Sequence, residues 1–468
     1  MNPIYNLLFF LFPLFIHSNF LYFKYRDPSP TQLAHNSRLL NSVQQLWFNQ
    51  SLSHNNSELE SGYWSQRYFI NDQYYRPGGP AFLFIGAEGE LYGDYWTTNS
   101  ILTTAAEQQG GIIYALEHRF YGESYPKQDL SLNSLKYLTS ELAILDIVNF
   151  VKNISEKNKN TQWILHGASY AGNLAAWAKY KYPDTFHGAI ASSAALEAKI
   201  DFFEYDLMVQ KALLTHGGQS CLNYHLENFE FINNILLNGS IEEKYELKKR
   251  FTCETVKDDE FGLAFLYLSA LVQYNEKNNL KNYCNSLMLN GTSKEKFEDF
   301  IRDFKLRLNN KKCGEDFNYL KYNSIEKPNR GDAFRQWMYQ CCTEFGYWQT
   351  APLNQLPVRS KLLTINFNME FYCKNTFGIN NNLILNVTKT NLNYNSKNIK
   401  VNNLLLVNGQ LDPWSSLSII NSTYDSMKII NVINGSHSMD IYKPDSNDQL
   451  EVVDAKQKIL QFINQILK

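Results

Sequence analysis

The sequence predicts an α/β protein, a doubly wound sheet interrupted by a helical, cysteine-bearing insertion. Three observations carry this. Short apolar runs alternate with helix-period stretches over about 80–195. The character turns mainly helical over residues 200–390, where all seven cysteines lie. The apolar runs then resume at Leu404–Val407 (LLLV) and Lys428–Ile433 (KIINVI) before a closing helix at Val452–Leu467.

At 468 residues the chain exceeds one minimal domain and suits a large core with an insertion. Its N-terminus reads as an address. Leu7–Ile16 (LLFFLFPLFI) is an apolar run of signal-peptide length, too short to span a bilayer, and Ile16 and Ser18 suit a cleavage site. Residues 1–18 are therefore expected to be a signal peptide. An uncleaved anchor is the rival, because no Lys or Arg precedes the run and aromatics resume at Phe20. No later stretch of about 18 apolar residues exists, so no stable membrane insertion is expected after cleavage.

The first part of the core is placed at 19–199. Ala81–Ile85, Ile112–Leu116, Trp163–His166 and Gly188–Ala191 resemble buried parallel strands, bounded by Gly or polar turns. Thr139–Ile154 carries an apolar helical face with Thr139 or Ser140 as N-cap, and Leu174–Tyr182 is helical up to Pro183. Strand–helix alternation of this kind gives a parallel sheet covered on both faces. Residues 200–390 hold YELKKRF, GLAFLYLSALV and KEKFEDFIRDFKLRL, all of helical character. The second part of the core is placed at 391–468.

The cysteines (Cys221, Cys253, Cys284, Cys313, Cys341, Cys342 and Cys373) form a locally stapled region suited to an oxidising compartment. A zinc site is the alternative, but no CxxC pair or Cys/His cluster supports it, so no metal or cofactor is expected. N-x-S/T sequons begin at Asn49, Asn55, Asn153, Asn238, Asn290, Asn386, Asn421 and Asn434, which suits a secreted or lysosomal destination. A net charge of −2 argues against a nucleic-acid partner or a polybasic membrane anchor. With 44% hydrophobic and 15% aromatic residues, core material is ample.

The strongest motif is HGASYAGNLAAWA, residues 166–178, in which a strand runs into Gly167–Gly172 and then a helix. This is the layout of a nucleophile elbow and makes the predicted sheet an α/β-hydrolase one. Ala171 stands where glycine is usual, and is still small. The elbow lifts Ser169 to the helix N-terminus, where the dipole and N–H groups favour developing negative charge. A serine hydroxyl needs a base, and hydrolases of this fold supply acid and histidine in that chain order. Asp412, in NGQLDPW after 404–407, and His437, in NGSHSMD after 428–433, both follow strands. Each alone reads as an ordinary turn residue; all three in order read as a catalytic triad. Tyr170 N–H is the first expected oxyanion donor, and the second lies on the Gly86–Gly89 loop, near Ala87.

Several stretches together resemble a known family: QLWFNQSLSHNN (45–56), YWSQRYFINDQYYRPGGPAFLFIGAEGE (63–90), EHRFYGES (117–124), GASYAGNLAAWAKYKYP (167–183), YQCCTEFGYWQT (339–350) and NGQLDPW (408–414). They are similar to the serine peptidases that include lysosomal Pro-X carboxypeptidase, dipeptidyl peptidase II and thymus-specific serine protease. The SYAGNLAAWA elbow is most similar to the thymus-specific branch. The resemblance implies a helical insertion capping the site and peptide substrates cleaved after proline near a chain end; a homodimer is a separate partner expectation, with the oligomeric state left open. It matches Ser169, Asp412 and His437 to the triad, puts Trp414 in a proline-binding wall, and pairs Cys342 with Cys373. Cys341 is unexpected there, and is either free or a competitor of Cys342.

Ser438 stands where the carboxypeptidase and dipeptidyl peptidase branches resemble each other in a second histidine, which leaves the terminus attacked open. Glu88 has two readings, binding a substrate ammonium or bracing its loop. EHRFYGES is expected to tie loops together through Arg119 and Glu123, and His54, His118 and His166 to be structural. A glycan at Asn434 would obstruct the His437 loop, so that sequon is expected to stay unoccupied. An esterase or lipase shares the elbow, and a non-catalytic binding relative is the remaining alternative.

Overall fold

The computed structural model describes residues 43–54, 56–157, 161–276, 279–308, 313, 324–326, 333–379, 383–422 and 424–468. The expected signal peptide and the Asn55 sequon residue lie outside the described residues.

The main sheet opens with strands β1 (Val43–Ser51) and β2 (Tyr63–Asn71), paired antiparallel. Next come β3 (Ala81–Ile85), helix α1 (Ile101–Gln109), β4 (Ile112–Leu116), helix α2 (Ser140–Lys157), β5 (Trp163–Ala168), helix α3 (Tyr170–Lys181) and β6 (Gly188–Ser192). β3 pairs parallel with both β4 and β5, and β5 with β6. After the insertion, β9 (Leu404–Gly409) and β10 (Met427–Val432) complete the spatial order β1-β2-β4-β3-β5-β6-β9-β10.

Side-chain alternation sorts each strand between two layers. Phe82, Phe84, Ile164, Ile190 and Leu405 pack with α1 and the closing helix (Leu450–Ile466). Leu83, Ile85, Leu165, Ala189 and Leu404 pack on the other face with α2 and α3. Covered on both sides, β3 to β6 can be apolar at every position. Each large side chain buried there contributes about 1.5–3 kcal/mol.

The first hairpin obeys a different rule, which is why the apolar pattern did not announce it. Gln50, Gln66 and Arg67 lie on its strands and are buried. Arg67 is held by Glu117 at 2.5 and 3.1 Å. Arg119 makes a two-pronged pair with Asp146 at 2.6 and 2.7 Å and donates to Tyr137 O. EHRFYGES therefore ties loops through Arg119 as expected, but the principal acid is Glu117. Glu123 contributes its backbone N–H to that carboxylate.

Between β6 and β9 the described chain is mainly helical. A short parallel pair, β7 (Lys199–Asp201) with β8 (Gly346–Trp348), sits at its root. Helix α4 (Glu204–Asn238) kinks at Gly218, and it is followed by α5 (Tyr267–Gln273) and α6 (Ser293–Leu308). Phe229, Phe251, Phe261, Phe265, Phe300 and Phe304 form the aromatic centre of this region. Disulfides join Cys221 to Cys284, Cys253 to Cys313 and Cys342 to Cys373, while Cys341 is buried outside these bonds. Among the described residues no helix is long and apolar enough to cross a membrane.

Candidate active site

Parallel strands put the loops that follow them on one edge of the sheet, and the candidate residues gather there. Ser169 occupies the turn between β5 and α3 with φ 56° and ψ −125°. A non-glycine residue held in that region stores roughly 1–3 kcal/mol of strain, so the surroundings must enforce it. They do so through size. A Cβ on Gly167 would run into the Ala171 carbonyl, and one on Gly172 would come 2.8 Å from Ser192 O. Ala171 is itself fully buried. Ser169 N–H donates to Ser192 O at 2.8 Å, fastening the elbow to the end of β6.

Asp412 follows β9 and His437 follows β10. The imidazole Nδ1 donates to Asp412 Oδ2 at 2.8 Å, and both side chains are fully buried. Asp412 Oδ1 accepts Trp414 N–H at 3.0 Å, which fixes the carboxylate plane. With Nδ1 committed to the acid, Nε2 is the basic atom of the ring. The end of β6 links this pair to the elbow. Ser193 Oγ accepts Ser438 N–H at 2.9 Å, and Ser192 Oγ donates to Asp440 at 2.5 Å. Thus Ser192 and Ser193 touch the Ser169 turn on one side and the His437 loop on the other.

The remaining sequence candidates fall around this centre. Phe84 pairs with His166 in the β3–β5 ladder, so the loop after β3 and the Ser169 turn after β5 leave neighbouring strands. Ala87 is buried on the loop after β3, and Tyr170 N–H belongs to the first helical residue of α3. The Tyr170 hydroxyl points elsewhere, bonded by Gln340 Nε2 at 2.8 Å and His118 Nε2 at 3.1 Å. Glu88 is buried, and burial pushes its carboxyl up to about 8. It accepts from its own backbone N–H, while Oε2 meets no hydrogen-bond partner among the described residues.

Trp414 stands in an aromatic cage, with Phe202 and Tyr347 each 5.3 Å away and Tyr205 at 5.8 Å between ring centroids. Burial holds His118 down at about 4 and His166 at about 3, so both are neutral near pH 7. His54 binds Asp146 at 2.7 Å. The three histidines serve packing and hydrogen bonding. Cys342 bonds Cys373, as the resemblance implied. Asn434 is exposed, but the hydroxyl of its sequon serine, Ser436, is buried and donates to Asn275 O at 2.9 Å.

Sequence reasoning missed Gln273, Asn275, the Ser192–Ser193 pair and Asp440. Asp440 lay inside the quoted NGSHSMD stretch and had a signal, an acid three residues after the histidine. Gln273 had none: it ends an ordinary-looking helix far along the chain from its partners.

The family profile described as Serine carboxypeptidase S28 matches residues 50–459. A putative serine protease of Caenorhabditis elegans is 29% identical, covering 93% of this chain and 90% of the relative. A probable serine protease of Arabidopsis thaliana, EDA2, is 30% identical over 88% and 84% of the two chains. The human thymus-specific serine protease is 29% identical over 86% and 83%.

Proposed function

Because the chain belongs to the serine carboxypeptidase S28 family, we propose that it is a serine exopeptidase cleaving after proline near a peptide terminus, with Ser169, Asp412 and His437 as its triad. The observation that carries this reading is the buried 2.8 Å bond from His437 to Asp412, on loops tied through β6 to a strained serine turn. In this reading residues 200–390 cap a core made of 19–199 and 391–468, and the site works in a secreted or lysosomal setting on peptides.

The steps follow from the atoms present. Ser169 Oγ attacks the scissile carbonyl carbon as His437 Nε2 takes its proton. The carbonyl oxygen becomes an oxyanion, held by the N–H groups of Tyr170 and Ala87. Asp412 keeps the imidazole in its tautomer and stabilises the imidazolium. His437 then protonates the leaving amine as the C–N bond breaks, leaving an ester on Ser169. Water, deprotonated by His437, cleaves that ester and returns the serine. Trp414 walls the slot for the proline ring.

The test is mass spectrometry of a peptide panel with Pro second, internal or penultimate, cut by mature protein and by Ser169→Ala at acidic and neutral pH. Loss of an N-terminal X-Pro dipeptide, or of one residue after penultimate Pro, each absent in the variant, supports the reading. Cleavage that persists in Ser169→Ala, or none in either protein, sinks it.

A further inference from the structure

Gln273 closes helix α5 of the insertion and is buried. Its side-chain oxygen accepts two hydrogen bonds, from Tyr205 OH at 2.6 Å and from Trp414 Nε1 at 3.1 Å. Its amide nitrogen donates to Tyr274 OH at 3.0 Å. Its main-chain carbonyl accepts His437 N–H at 3.0 Å. One residue of the insertion thus reaches the indole beside the candidate acid and the backbone of the candidate base.

These contacts separate under substitution. The main-chain bond to His437 survives any side chain, whereas the acceptor shared by Trp414 and Tyr205 does not. An indole turns about two bonds, and its flat face makes a defined wall only when both are fixed. Phe202 and Tyr347 pack around the ring, and the N–H bond to Gln273 fixes its edge. A proline differs from an alanine by apolar ring carbons, a fixed φ and a missing backbone N–H, and of these the ring carbons are what a flat indole wall can read, so the part of the selection made there depends on how well that wall is held. A difference of one methylene gives only about 10–200-fold discrimination, and a loosened wall forfeits much of it.

We propose that Gln273 is a specificity-determining residue, whose side-chain oxygen holds the Trp414 indole as the wall selecting proline on the acyl side of the cleaved bond. This rests on the reading of Ser169 as nucleophile and Trp414 as proline wall. Gln273→Met keeps length but offers no comparable acceptor, stranding a buried indole N–H and a hydroxyl. Gln273→Glu keeps an acceptor oxygen for both donors.

The experiment compares mature wild type, Gln273→Met and Gln273→Glu on peptide pairs with Pro or Ala supplying the scissile carbonyl. The readout is the Pro:Ala ratio of kcat/KM, beside the rate at which a small fluorophosphonate labels Ser169. Gln273→Met should lower the ratio about tenfold, chiefly through KM for the Pro peptide, with labelling within about twofold of wild type. Gln273→Glu should keep most of the ratio. An unchanged ratio in Gln273→Met overturns the proposal, as does an equal loss in Gln273→Glu. If Gln273→Met fails to fold, Trp414→Phe removes the donor instead, and an unchanged ratio there overturns it too. Wild type with no Ser169-dependent preference for proline refutes the underlying reading, an outcome visible before any Gln273 variant is scored.

Discussion

The sheet core and the helical insertion bury similar amounts of aromatic material but are fastened differently. In the core, backbone ladders run strand to strand and the polar interior is locked by charge pairs, Arg67 with Glu117 and Arg119 with Asp146. Among the described residues the insertion has no such ladder beyond the short β7–β8 pair, and its helices are joined through phenylalanine rings and disulfides, with Arg359–Asp206 as a buried pair. The difference follows from what each does. Catalytic geometry tolerates little displacement, and ladders with charge-assisted hydrogen bonds fix direction as well as distance. Ring packing and covalent staples hold helices together while specifying angles less strictly. The core should therefore own the chemistry, and the insertion should tune selectivity through its hold on the Trp414 wall.

The largest effect that would break this division is on turnover. Asp412→Asn leaves a side chain of the same shape but disturbs the His437 tautomer, and kcat should fall about 10⁴-fold with Tm nearly unchanged. Steady-state kinetics with a peptide ester and a thermal melt check it. A loss under tenfold would move the chemistry away from this pair.

The next effect sharpens the comparison of fastenings. Arg119→Met leaves the buried Asp146 carboxylate with His54 alone and should cost about 3–5 kcal/mol, lowering the stability of the molecule as a whole. Removing the Cys253–Cys313 bond with two serines should cost less, about 2–4 kcal/mol. Its effect should be local: hydrogen exchange should rise in α6 and in Ile241–Arg250 while β3 to β6 stay protected. Equal exchange in both regions would show that insertion and core unfold as one unit.

The same contrast explains what could be read from the sequence. Ala81–Ile85 and Ile112–Leu116 were legible to the residue because strands buried on both faces must be apolar throughout. The elbow was legible because its turn admits only small residues around Ser169. β1 and β2 were hidden because Gln50, Gln66 and Arg67 break the alternation, and their partners Glu117, Asp146 and Asn149 come from later segments. Glu117 was passed over for Glu123 because spacing does not say which acid faces inward. Cys342–Cys373 was available through resemblance, whereas the pairings of Cys221 and Cys253 depend on how helices stack. Gln273 was illegible for the same reason: its importance lies in Trp414, Tyr205 and His437, none of them near it in sequence.

The smallest effect concerns pH and tells the two sides of the His437 loop apart. On the core side Asp440 accepts from Ser192, and burial pushes its carboxyl from 3.8 up to about 6, against the opposing pull of the Ser192 and backbone hydrogen bonds and, more weakly, of Lys456 and His437. An acid whose pKa is raised on folding holds its proton more tightly in the folded state. Its contribution to stability is therefore full below about pH 4, falls as pH rises toward about 6, and is flat beyond. Asp440→Asn keeps an acceptor for Ser192 and never ionises. The variant should match wild type at pH 4 and exceed it by about 1–3 kcal/mol at pH 7, read from urea melts at each pH. On the insertion side the loop is held by the carbonyls of Gln273 and Asn275, which do not titrate in this range. Replacing the Asn275 side chain should therefore leave the difference between wild type and Asp440→Asn unchanged. An Asp440→Asn variant no more stable than wild type at pH 7 would place the pH-sensitive tie elsewhere and remove the core's claim to it.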